Sequence, residues 1–223
     1  MSSIFLDFQI HKIKSFSLFL LVFLVSASVF FSLKVVAENE TNWISTGYAL
    51  PYKAGKALRV TQGYNGWFSH RDILEKSLDF GAYSFDATGT PILAAKAGKV
   101  IAVREGGNYN KTCRNIISCK LKEMNGLPKN DYWYTNGNMV VIDHGDGETS
   151  NYYHLNPGSI SVSYGDYVDQ GEQIGELGDT GYSTQAHLHF HVWKNGTEPV
   201  DVKFLECGCS LVQNGIYTSG NWR

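Results

Sequence analysis

The sequence predicts an all-β fold, an antiparallel β-sandwich with long loops around a groove, and three observations carry that expectation. Seven short segments rich in apolar and aromatic residues are bounded by glycines and turn residues. Glycine occurs 23 times and tyrosine 13 times, a composition that suits short strands and tight turns more than long helices. The run His187-Leu188-His189-Phe190-His191-Val192 alternates polar and apolar side chains at the two-residue period of a strand.

In chain order, the expected strands are 78–82, where Leu78 and Phe80 flank Asp79, and 91–94, which leaves the Gly89-Thr90 turn at Pro91. Then come 99–104 after Gly98, the apolar run 139–144, the aromatic segment 149–154, 173–177 between Gly171 and Gly178, and 188–193. Residues 38–59 read as an irregular lead-in containing Pro51, and 207–223 as a C-terminal tail. Only 199–205 suits a short helix. Residues 105–138 show no sustained periodicity, and an irregular stretch of that length in a compact domain is usually functional. Within it, Tyr132, Trp133 and Tyr134 are suited either to stacking on sugar rings or to surface packing.

Composition excludes some roles. The formal charge of −2 becomes −4 once the three lysines and one aspartate of residues 1–37 are set aside, so no electrostatic footprint for nucleic acid remains. In that N-terminal stretch Lys12 and Lys14 precede an uncharged apolar run over residues 16–33, and Val35-Val36-Ala37 supplies a small-residue site. Residues 1–37 therefore read as an export segment, either a cleaved signal peptide or a retained membrane anchor, and both place the rest of the chain in the periplasm or outside the cell. Four cysteines suit an oxidising compartment. Cys113 with Cys119 is the favoured pair, and a zinc site on Cys207 and Cys209 is a weaker alternative because zinc cysteines are usually spaced more widely.

His187, His189 and His191 occupy one face of a strand, which can offer a metal ligand and a proton-handling group side by side. His70 lies in a Gly- and aromatic-rich loop, and Asp79 follows nine positions later. His70, Asp79 and His189 make the three-ligand set of a catalytic zinc ion with one position left for water. Spacing alone does not establish that they meet.

Residues 60–201 resemble the M23 family of zinc metallopeptidases, the lysostaphin-type or LytM-type peptidoglycan endopeptidases. The signatures are Ser69-His70 with Asp79-Phe80, Gly89-Thr90-Pro91 leading to Gly98-Lys99-Val100, and Val140-Val141-Ile142-Asp143-His144-Gly145. Tyr153-His154-Leu155, Gly165-Asp166-Tyr167-Val168, and Gly178-Asp179-Thr180-Gly181 running into His187-Leu188-His189-Phe190 complete the set. The resemblance implies His70, Asp79 and His189 as ligands of one Zn2+ per chain. It also implies His154 and His187 as metal-free catalytic histidines, with His187 the general base and His154 a transition-state support.

Departures accompany the match. The family commonly places its first two ligands four apart, so the nine-residue gap here leaves Asp72 and Asp86 as alternative carboxylates, although the Leu-Asp-Phe context favours Asp79. His191 stands where many relatives carry Glu. It reads as a strand-edge or solvated histidine, with orientation of His189 as the alternative. His144, after an apolar strand, reads as structural, and only one of Tyr152 and Tyr153 can view the groove. The resemblance implies hydrolysis of peptide cross-links in peptidoglycan, and an oxidising compartment favours a D-Ala to diaminopimelate bond over a glycine bridge. Two other readings are a non-catalytic peptidoglycan-binding activator of an amidase and an extracellular endopeptidase acting on Gly-rich proteins.

Overall fold

The computed structural model describes residues 44–82, 86–106 and 137–222, all within one compact unit, Trp43–Arg223. The export segment, Cys113, Cys119 and the Tyr132–Tyr134 cluster lie outside the described residues. Thirteen strands are present among the described residues: β1 Ile44–Tyr48, β2 Ala57–Gln62, β3 Leu78–Gly81, β4 Pro91–Leu93, β5 Gly98–Arg104, β6 Asn138–Asp143 and β7 Glu148–Leu155 come first. They are followed by β8 Tyr167–Val168, β9 Gln173–Glu176, β10 His187–Lys194, β11 Glu198–Pro199, β12 Asp201–Phe204 and β13 Ile216–Thr218.

Nine of them form one antiparallel sheet in the order β13-β2-β3-β10-β7-β6-β5-β8, with β11 also paired to β10. Two small sheets, β4 with β9 and the parallel pair β1 with β12, complete the fold. The two-residue period explains the layering. Leu188, Phe190 and Val192 of β10 join Leu78 and Phe80 of β3, Tyr152 of β7, and Val140 and Ile142 of β6 in a single buried cluster. Ile92, Ile174, Tyr48, Val202 and Phe204 of the small sheets enter the same cluster, and Phe204 meets Phe80 edge-on at 6.3 Å and Phe190 at 6.0 Å. The residues between these apolar positions must point to the opposite face of the large sheet, and on β3 and β10 they are Asp79, His187, His189 and His191.

The all-β, antiparallel expectation holds, and each of the seven expected strands is present. Residues 199–205 are not helical: Pro199 ends β11 and Asp201–Phe204 form β12, which the core takes through Val202 and Phe204. The lead-in also carries structure, since β1 pairs with β12 and β2 with β3, and the tail supplies β13. Cys207 and Cys209 are joined in a disulfide across Gly208, so these two sulfurs are not zinc ligands.

Candidate functional site

Two neighbouring strands set the centre. In the register of β3 with β10, Asp79 stands directly opposite His189, and Tyr153 of β7 stands opposite His189 on the other side. Directly opposed residues share a face, so pairing alone brings the carboxylate to the imidazole. His70 arrives from the loop after β2, which folds back so that its ring Nδ1–H donates to the Gly63 carbonyl at 2.8 Å. That bond leaves His70 Nε2 as a lone pair, 3.1 Å from Asp79 Oδ1, while His189 Nδ1 lies 2.9 Å from the same oxygen. The second carboxylate oxygen, Oδ2, accepts from the Gln62 amide at 3.3 Å, which fixes the orientation of Asp79.

One ligand atom each from His70, Asp79 and His189 lies within 4.8 Å of the others, and all three residues are buried. Ligands roughly 2.0–2.1 Å from a tetrahedral ion sit about 3.3 Å apart, close to the separations observed, so this donor set fits a single ion. The alternative carboxylates do not join it. Asp72 is exposed in a 3-10 turn, and Asp86 is exposed and caps the Thr88 amide.

Electrostatics agree with a centre built for a cation. Burial pushes the Asp79 pKa up, but the charges of His187 and His70 and its hydrogen bonds outweigh that and hold the carboxyl well below its usual range. Burial opposes charging of His70, yet the adjacent Asp79 carboxylate raises its pKa. At His189 burial dominates and lowers the pKa, with Asp79 only partly offsetting it.

Two further histidines face the same centre. His187 donates from Nδ1 to the Gln185 carbonyl at 2.8 Å, so its Nε2 is an acceptor, 3.7 Å from Asp79 Oδ1. His154 donates from Nδ1 to the Thr180 carbonyl at 2.6 Å, and its ring centroid lies 4.6 Å from that of His187. Burial, then the charges of His187 and His189, hold the His154 pKa well below the ordinary value, so its resting form is neutral with an acceptor at Nε2. Thr180 is the clasp: its hydroxyl donates to the Leu155 carbonyl at 2.9 Å and receives the Asn138 amide at 2.9 Å.

A cleft of about 260 Å³ opens on these groups, with Phe68, Tyr182, Ile73 and Trp193 among its walls. Phe68 and Tyr182 stack at 5.8 Å, and the Trp193 indole N–H donates to the Ile73 carbonyl at 2.8 Å. Tyr153 is the tyrosine that views the cleft, whereas Tyr152 is fully buried in the core and accepts the Ala95 amide at 2.8 Å. His144 is structural, bonded to the Ala97 carbonyl and to Ser150. His191 is not solvated: it is 2% exposed, with Tyr153 stacked on its ring. The carbonyls of Gly63, Thr180 and Gln185 have no marker in the sequence, because any residue carries a backbone carbonyl.

The chain matches the model of peptidase family M23 over residues 126–202. It is 31% identical over 134 residues to lysostaphin of Staphylococcus simulans, covering 58% of this chain and 22% of that protein. It is 40% identical over 70 residues to the peptidoglycan DD-endopeptidase ShyC of Vibrio cholerae, covering 31% of this chain and 16% of that one. The crystal structure of the catalytic domain of lysostaphin from Staphylococcus simulans aligns with 63% of this chain and 81% of that chain at 25% identity and a TM-score of 0.40. The chain spans about a fifth of the length of the curated relatives it matches first. His154, His187 and His189 all fall inside the stretch that matches peptidase family M23.

Proposed function

We propose that this chain is a zinc-dependent endopeptidase that hydrolyses peptide cross-links of bacterial peptidoglycan, exported to the periplasm or cell exterior. The observation that carries the reading is the convergence of His70 Nε2, Asp79 Oδ1 and His189 Nδ1 beside two histidines whose tautomers are locked with Nε2 free. When bound, zinc supplies a Lewis acid and lowers the pKa of a coordinated water to about 7.

The protein's own residues do the rest. An extended peptide lies in the cleft against the Phe68 and Tyr182 wall, which shields the scissile bond from bulk water. His187 Nε2 takes a proton from the attacking water and later delivers it to the leaving amine, while the Gln185 carbonyl holds its ring in that tautomer. His154 Nε2, an acceptor in the resting site, orients the same water toward the carbonyl carbon. It can donate to the oxyanion only after gaining a proton, which its burial opposes.

The bond is assigned to the D-Ala to diaminopimelate class. The reading is supported by the export pattern of residues 1–37, by the Cys207–Cys209 disulfide and by the likeness to a DD-endopeptidase. Digestion of purified sacculi tests it: cross-linked dimers are converted to monomeric muropeptides, a chelator stops the reaction, and added zinc restores it. Intact dimers after incubation with zinc-loaded protein would overturn the proposal, and cleavage confined to glycine bridges would overturn the bond assignment.

A further inference from the structure

We infer that His191 is a positioning residue for the metal centre, accepting the Nε2–H of His189 on its own Nδ1 and so fixing the ring that presents Nδ1 to the ion. The inference rests on the proposed metal site. His189 Nε2 and His191 Nδ1 are 3.2 Å apart. The polarity of this bond follows from the other end of His189: its Nδ1 faces Asp79 and must keep a lone pair for a metal, so its proton sits on Nε2 and His191 must receive it.

The surroundings hold His191 in that role. Tyr153 stacks on its ring at 5.6 Å and 19°, Trp193 lies at 4.5 Å, and the side chain is 2% exposed. Its remaining donor, Nε2–H, is buried without a partner among the described residues. A buried unpaired donor destabilises the fold, and phenylalanine would fill similar space without it. What a histidine adds here is the acceptor at Nδ1. A neutral imidazole is a weaker acceptor than a carboxylate, so His189 retains less electron density for the metal than it would with Glu in that place.

Zinc affinity measured by competition with a chromophoric chelator tests this, together with the visible spectrum of the Co2+-substituted protein and the melting temperature of the metal-free form. His191→Phe is expected to weaken zinc binding 10–100-fold and alter the Co2+ bands while the metal-free protein melts near the parent temperature. His191→Asn, which keeps an acceptor oxygen near the position of Nδ1, restores most of the affinity, and His191→Glu binds zinc at least as tightly as the parent. Unchanged affinity in His191→Phe, or equal losses in the Phe and Asn variants, would overturn the inference. A parent protein that binds no zinc would instead overturn the metal site itself.

Discussion

Every histidine of the centre has its proton placed by a different neighbour, and that placement decides what each ring can do. Gly63, Thr180 and Gln185 each accept an Nδ1–H, which leaves the Nε2 of His70 against Asp79 and those of His154 and His187 on the cleft side. His187→Ala should therefore keep zinc and lose about 10²–10⁴-fold in turnover, whereas His189→Ala should lose the metal, as metal analysis alongside kinetics will show. His144 offers a separate test. Burial lowers its pKa, so the folded state disfavours its protonation and its contribution to stability is complete above the unfolded value of about 6.5 and is lost as pH falls toward the lower folded value. Urea melts should show a shallower acid loss for His144→Gln than for the parent; parallel curves would contradict this. At this scale the sequence was informative wherever side-chain type carries chemistry: alternation exposed His187 and His189, and the flanking Leu78 and Phe80 turned Asp79 outward. The burial of His191 is not legible in the sequence, because period two gives the face of a residue without saying what covers that face.

Strand pairing turns these residues into a site. Phe190 is fully buried and touches Tyr152, Phe80 and Phe204 from the strand that also carries His189, so packing on one face fixes His189 on the other. Phe190→Ala should cost about 3–5 kcal/mol of unfolding free energy in denaturant melts and lower zinc affinity with it. Gly178 is a second control point. A Cβ there would meet the Asn156 Cα and N at 2.6 Å and the His154 carbonyl at 2.9 Å, all backbone atoms that cannot rotate aside. Gly178→Ala should destabilise by about 1–3 kcal/mol and, by pushing Thr180 from His154, reduce activity more than zinc content; normal turnover would contradict that coupling. β2 is not among the strands the sequence predicts despite its alternation, whereas β3 to β7, β9 and β10 were legible because each is an apolar, aromatic or alternating run bounded by turn residues. β1, β12 and β13 were not, since these short strands exist through partners far along the chain: Ser45 pairs with Val202, and Arg59 with Ile216. Residues 199–205 read as a helix for the same reason, because the parallel partner that makes them a strand lies about 150 positions earlier.

Across the whole molecule, two strands and one returning loop deliver the three proposed ligands, so on this reading a metal should bind only the folded chain. Saturating zinc should stabilise the protein by about 4 kcal/mol at a free concentration a thousandfold above the dissociation constant, and a chelator should lower the melting temperature and abolish turnover together. The most direct measurement is anomalous diffraction at the zinc edge from crystals of residues 38–223. One ion per chain is expected, held by His70 Nε2, Asp79 Oδ1 and His189 Nδ1, with His154 and His187 beside it and outside its ligand shell. Crystals grown with zinc that show no ion at these three atoms, or an ion bound by His154 or His187 in place of one of them, would contradict it.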